Sequence, residues 1–186
     1  IFIYKLNVEY LGVNGLFTNI LAILSLAELG VGNAITFSLY KPIAQNDTKK
    51  IKSLLNFYRK AYIIIGVAVF IFGLCVYPFL PLIVGKSSLS NLNLIYILFL
   101  FNSVVTYFFA YKRTLIIANQ KQYIVSTYTL VSFIITSILQ AITLFAFSNY
   151  IVYLIITIVT NILLNVAISI KANKMYPAYK NFDGNV

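Results

Sequence analysis

Histidine is absent from this chain, and acidic side chains are scarce: four Asp or Glu stand against fourteen Lys or Arg. The single cysteine, Cys75, lies inside an apolar run, so there is no disulfide framework. Almost nothing is left from which to build a metal centre, and no metal ligands or cofactor are expected. Charged residues of both signs make up only 10%, against roughly 25% in soluble domains. The charge is also missing in blocks. Gln122 to Ile170 carries none over 49 residues. Ala61 to Val84 and Ser87 to Tyr111 carry none either, and Tyr10 to Tyr40 carries only Glu28.

What fills these blocks is apolar; hydrophobic residues make up 61% of the chain. A bilayer core of about 30 Å is spanned by about 20 helical residues. The longest run therefore suits two crossings and the other three suit one each. The expected fold is all-α: a polytopic transmembrane helical bundle of about five spans, near 11–40, 61–84, 88–111, 123–147 and 150–170. These spans and their connections use nearly the whole chain, so 1–186 reads as a single transmembrane unit with no sizeable soluble domain.

The charges that remain are placed asymmetrically. Six Lys or Arg fall in the 41–60 loop, three in the 112–122 loop and three in the 171–186 tail. Only Lys5 and Lys86 fall on the opposite side. This is a positive-inside pattern, with the three basic segments cytoplasmic, Ile1 outside and the C-terminus inside. A net charge of +10 confined to span junctions suits the phospholipid bilayer surface and not nucleic acid. An outside start without a signal-peptide pattern predicts a preceding helix. Within the 41–60 loop, Asn46–Asp47–Thr48 offers a helix N-cap. Ile51, Leu54, Leu55 and Tyr58 then make an apolar edge flanked by cations, suited to the inner membrane surface.

Several spans carry polar residues on one side only. Around a helix of 100° per residue, Val13, Leu16, Phe17, Ile20, Ile23, Leu24, Ala27, Val31, Ala34 and Ile35 form an uninterrupted apolar side that suits lipid. Asn14, Thr18, Glu28 and Thr36, with Gly12, Gly15, Asn19 and Asn33 beside them, form a small and polar side. Thr157, Asn161, Asn165 and Ser169 recur every four residues on the last span. Ser126, Thr129, Ser132, Thr136, Gln140 and Thr143 share a face of the span before it, and Asn102, Ser103 and Thr106 lie near the middle of the third. Such stripes bond between helices or line a wet cavity. Candidate substrate- or ion-binding residues are Glu28, Asn14, Asn33, Asn102, Gln140, Asn161 and Asn165. Glu28 is the costliest of them, a carboxylate near the midplane that calls for protonation, a partner or water.

The segment EYLGVNGLFTNILAILSLAELGVGNAITFSLYKPIAQNDTKKIKSLLNFYRKAY resembles the second helix and following loop of bacterial polysaccharide flippases. These belong to the superfamily of multidrug, oligosaccharidyl-lipid and polysaccharide exporters. YKRTLIIANQKQYI is similar to the loop between that family's fourth and fifth helices. The resemblance implies helices two to six of an N-terminal lobe in a bacterial plasma-membrane protein, with a first helix and a second lobe besides. It implies a transporter, not an enzyme, that flips lipid-linked (undecaprenyl-pyrophosphate) oligosaccharide units for polysaccharide biosynthesis. Polysaccharide polymerase or assembly proteins would be its neighbours. Lys41, Lys112 and Arg113, at helix ends, are the candidates for head-group contact. A cation-coupled multidrug exporter of the same superfamily and a non-transporting scaffold of a polysaccharide assembly complex are the alternatives. A membrane enzyme fits less well, because the outside turns offer essentially no catalytic side chains.

Overall fold

The computed structural model describes residues 2–24, 31–85, 89 and 91–179. Among these the chain is helical, with no strand. In order the helices are α1 (Phe2–Lys5), α2 (Val8–Leu24), α3 (Val31–Ala44), α4 (Thr48–Val76), α5 (Leu80–Val84), α6 (Leu92–Tyr107), α7 (Ala110–Ala118), α8 (Gln122–Phe147) and α9 (Tyr150–Met175). Short 3-10 turns follow α4 (Tyr77–Phe79) and α9 (Pro177–Tyr179). Three helical segments are long and apolar enough to cross a membrane: Thr48–Val84, Gln122–Phe147 and Tyr150–Met175. The helices α6 and α7, bent by 44° at the break between them, make a fourth only if the pair is a single span. The span expected over 11–40 is described as α2 and α3, on either side of residues 25–30. Glu28 therefore lies outside the described residues, as do Lys86 and Lys180.

Local chemistry sets several boundaries. The Asp47 carboxylate accepts the backbone N–H of Lys50 at 3.0 Å and caps α4, after a left-handed turn at Asn46 (φ 52°). Pro78 and Pro81 cannot donate backbone hydrogen bonds, and there the long helix gives way to the 3-10 turn and α5. The α5 helix ends at Gly85, whose φ of 71° favours glycine. At the hairpin, Ser148 is left-handed (φ 46°) and closes α8. The Asn149 side chain accepts Ile151 N–H at 2.8 Å and opens α9. The expected reversal at 148–150 is in place.

The basic segment before the second expected span behaves differently from expectation. No breaker separates Arg59 from Ala61, so the segment and the apolar run share one axis as α4. The same face stays buried along the helix: Ile51, Leu55, Tyr58, Tyr62, Gly66, Val69 and Gly73. The apolar edge expected on the membrane surface is thus packed inside the protein, and Tyr58 donates its hydroxyl to the Ile35 carbonyl at 3.3 Å. The α4 helix is 29 residues long, about 43 Å at 1.5 Å per residue, which exceeds the bilayer core.

The core lies where α4, α6 and α2 meet. Phe17, Leu55, Leu80, Ile95, Tyr96 and Leu100 are fully buried. Phe17 packs edge-on to Tyr96, with ring centroids 5.1 Å apart. Tyr96 donates to the Gly73 carbonyl at 2.7 Å. Gly66 and Gly73 let α6 approach α4 closely; a Cβ at Gly66 would stand 3.2 Å from that of Tyr107. By contrast α8 lies at the outside, with only Val125 and Leu144 buried and an array of exposed Ile, Leu and Phe that suits lipid.

Candidate functional site

The seam where α2, α6, α8 and α9 converge holds most of the polar side chains that the sequence singles out. It encloses a cavity of about 110 Å³ lined by Asn14, Asn102, Gln140, Tyr153 and Thr157, with Phe99 among its apolar walls. Amide and hydroxyl groups in an apolar surround are stable only when they are bonded, and these find one another across the helices. Gln140 of α8 donates to the Thr157 hydroxyl of α9 at 2.8 Å. Thr157 in turn donates to the Tyr153 carbonyl at 3.0 Å. Asn161 donates to the side-chain carbonyl of Asn102 on α6 at 2.9 Å. Asn165, one turn along, donates to both the side-chain and backbone carbonyls of Asn161, at 3.0 and 2.9 Å. Tyr150 donates to the Asn14 side chain at 3.3 Å and so ties α2 to the start of α9.

Asn14, Asn102 and Gln140 thus meet at one cavity, with Asn161 and Asn165 extending the network along α9. Asn33 does not join them; it is exposed on α3. Tyr150 and Tyr153 are partners that the sequence reading missed. Their signal was available, because 150, 153, 157 and 161 follow helical spacing on one face. They also belong to an aromatic cluster at the hairpin end, where the Phe2 ring meets Tyr150 at 5.9 Å and Tyr153 at 5.4 Å. The described part of this seam carries no formal charge. Its chemistry is that of neutral donors and acceptors, suited to water or hydroxyl groups.

The three candidate cations have separate fates. Lys41 is exposed at the end of α3. Lys112 is buried, with 4% exposure; its ammonium donates to the Asn173 side chain at 2.6 Å and to the Tyr179 carbonyl at 3.4 Å. It fastens α7 to the end of α9 and to the turn beyond. Arg113, next in sequence, donates to the Thr129 hydroxyl of α8 at 3.1 Å and borders two open spaces.

The first helical pair reverses an expectation. Val13 and Phe17, on the side of α2 expected to face lipid, are buried together with the neighbouring Leu21, and α3 adds Ile35 and Leu39, while Ile23 of that expected side stays exposed. Gly12, Gly15, Thr18, Asn19 and Ala22, on the opposite side of α2, are exposed, as is Asn33 on α3. A Cβ added at Gly12 or Gly15 would meet nothing within 4 Å.

Comparison with protein-family models, with curated proteins and with solved structures finds no match to this chain. Three helical segments are long and apolar enough to cross a membrane, as a membrane protein requires.

Proposed function

We propose that this chain forms part of a polytopic transporter of the bacterial plasma membrane that moves lipid-linked oligosaccharide units across the bilayer. The observation that carries the reading is the outward polar face of α2 and α3. A helix bordered by lipid on its free side should show that side apolar, as α8 does with Phe133, Ile134 and Ile138. Here Gly12, Gly15, Thr18, Asn19 and Asn33 stand on the free side, among the exposed Leu11, Ile23 and Phe37. That arrangement supports a face lining a hydrated translocation path, where hydroxyl-rich sugars find amide and hydroxyl partners. The resemblance of the 9–62 segment to polysaccharide flippases supports the substrate class. In this reading the chain crosses the membrane five times with its basic segments cytoplasmic, and a second lobe encloses the path from the other side.

The test is cysteine accessibility in the full-length protein in membranes. Cysteines replacing Thr18 and Asn19 should react with a membrane-impermeant maleimide, and lipid-linked oligosaccharide should protect them. Cysteines at Phe133 and Ile138 should stay unreactive. Silence at both α2 positions in a folded, membrane-inserted protein would remove the hydrated path. Labelling that an oligosaccharide carrier leaves unchanged, while cationic dyes protect, would transfer the reading to drug export.

A further inference from the structure

We propose that the groove between α7 and α8 is a binding site for a glycerophospholipid, with its phosphate held by Arg113. The proposal depends on the chain lying in a membrane and not on the transport reading. A space of about 560 Å³ opens along one face of α8, bordered by Arg113 and by Gln122, Ser126, Thr129, Leu130 and Phe133. These α8 positions recur at three- and four-residue intervals and so share one face. The lining changes along the helix. Gln122, Ser126 and Thr129 stand with Arg113 in the first two turns, and Leu130 and Phe133 continue the groove apolar beyond them. From residue 122 to 133 the axis advances about 17 Å, which suits a head group at one end and the upper part of an acyl chain at the other.

Arg113 is the reason to place phosphate there. A guanidinium has five N–H donors and no acceptor, and its planar fork matches phosphate oxygens. Within the described residues its hydrogen-bond acceptor is the neutral Thr129 hydroxyl, and its Nε is buried with no partner. Lys112 beside it is bound within the protein through Asn173 and the Tyr179 carbonyl. Arg113 therefore keeps donors to give, at the edge of a groove whose other end is apolar. An anionic group attached to a hydrocarbon tail satisfies both ends together. A free phosphate satisfies only one.

Native mass spectrometry of the delipidated full-length protein, titrated separately with phosphatidylglycerol, phosphatidylcholine and inorganic phosphate, tests this. We expect a retained phosphatidylglycerol adduct, with phosphatidylcholine bound at least fivefold more weakly. Arg113→Gln should weaken the adduct at least tenfold, and Arg113→Lys should recover part of it. Ser126→Phe, on the exposed side of α8, narrows the groove without touching the guanidinium and should weaken the adduct as well. Equal phosphatidylglycerol binding by the wild type and both the Arg113→Gln and Ser126→Phe proteins would overturn the site. Displacement of the lipid by millimolar inorganic phosphate would overturn the lipid as its occupant.

Discussion

Two pairs of helices carry the same sequence signature and resolve it in opposite directions. The stripe of α9 and the later part of that of α8 face inward, where Gln140 finds Thr157 and Asn161 finds Asn102, while Ser126 and Thr129 at the start of α8 stay exposed. The α2 and α3 helices have a stripe that faces mostly outward, leaving Gly15, Thr18, Asn19 and Asn33 exposed while Asn14 at its edge turns in to Tyr150. In water the apolar side of a helix has one destination. In a bilayer it has two, since lipid tails are as apolar as a protein core. Periodicity identifies the stripe, and only packing says which way it turns. The lesson is that α2 and α3 read as one wall of something, and α9 reads as a strut.

The contrast is sharpest at glycine. In the packed region, a Cβ at Gly73 would fall inside contact distance of the fully buried Leu100 side chain, and the Gly73 carbonyl already accepts from Tyr96. Overpacking of this kind costs about 1–3 kcal/mol. Gly73→Ala should lower stability by that amount in detergent unfolding titrations. An unchanged midpoint would mean that α4 and α6 do not meet at this glycine.

Next in size is the amide chain. Asn161→Ala removes the donor to Asn102 and the side-chain acceptor of Asn165, both on the α6–α9 seam. Hydrogen bonds within membrane bundles contribute modestly, and a stranded polar partner adds to the loss, so a drop of about 1–2 kcal/mol is expected. Combining Asn161→Ala with Asn102→Ala should then cost less than the sum of the two single changes. Strict additivity in that double-mutant cycle would show the two amides to be uncoupled.

What the sequence disclosed depended on the range of the interaction. Asp47 as a cap and the reversal at Ser148–Asn149 were legible because each is decided within about four residues. The clustering of Asn14, Asn102 and Gln140 was half legible. An amide in an apolar run needs a partner, but which partner depends on the register of helices distant in sequence. The burial of Ile51, Leu55 and Tyr58 was misplaced for a related reason. An amphipathic edge has the same pattern whether membrane or protein covers it, and here α4 continued without a break, so its buried face continued too. Lys112 and Arg113 show the limit most plainly. They are adjacent cations at one helix start, and a 100° turn sends one into Asn173 and the other to the α8 groove.

The smallest expected effect bears most directly on the comparison. Gly15 sits within the exposed side of α2, in mid-helix, and an added methyl group meets nothing within 4 Å. Alanine loses less backbone freedom than glycine on forming a helix, a difference of roughly 0.5–1 kcal/mol. Gly15→Ala should therefore raise the unfolding midpoint slightly, opposite in sign to Gly73→Ala. A bulkier Gly15→Phe should remain folded for the same reason, yet narrow the proposed hydrated path beside α2 and so lower the proposed transport of lipid-linked oligosaccharide. Destabilisation by alanine in the full-length protein would instead show another helix seated on this face. The small residues of α2 would then serve the same purpose as those of α4, and the difference between wall and strut would disappear.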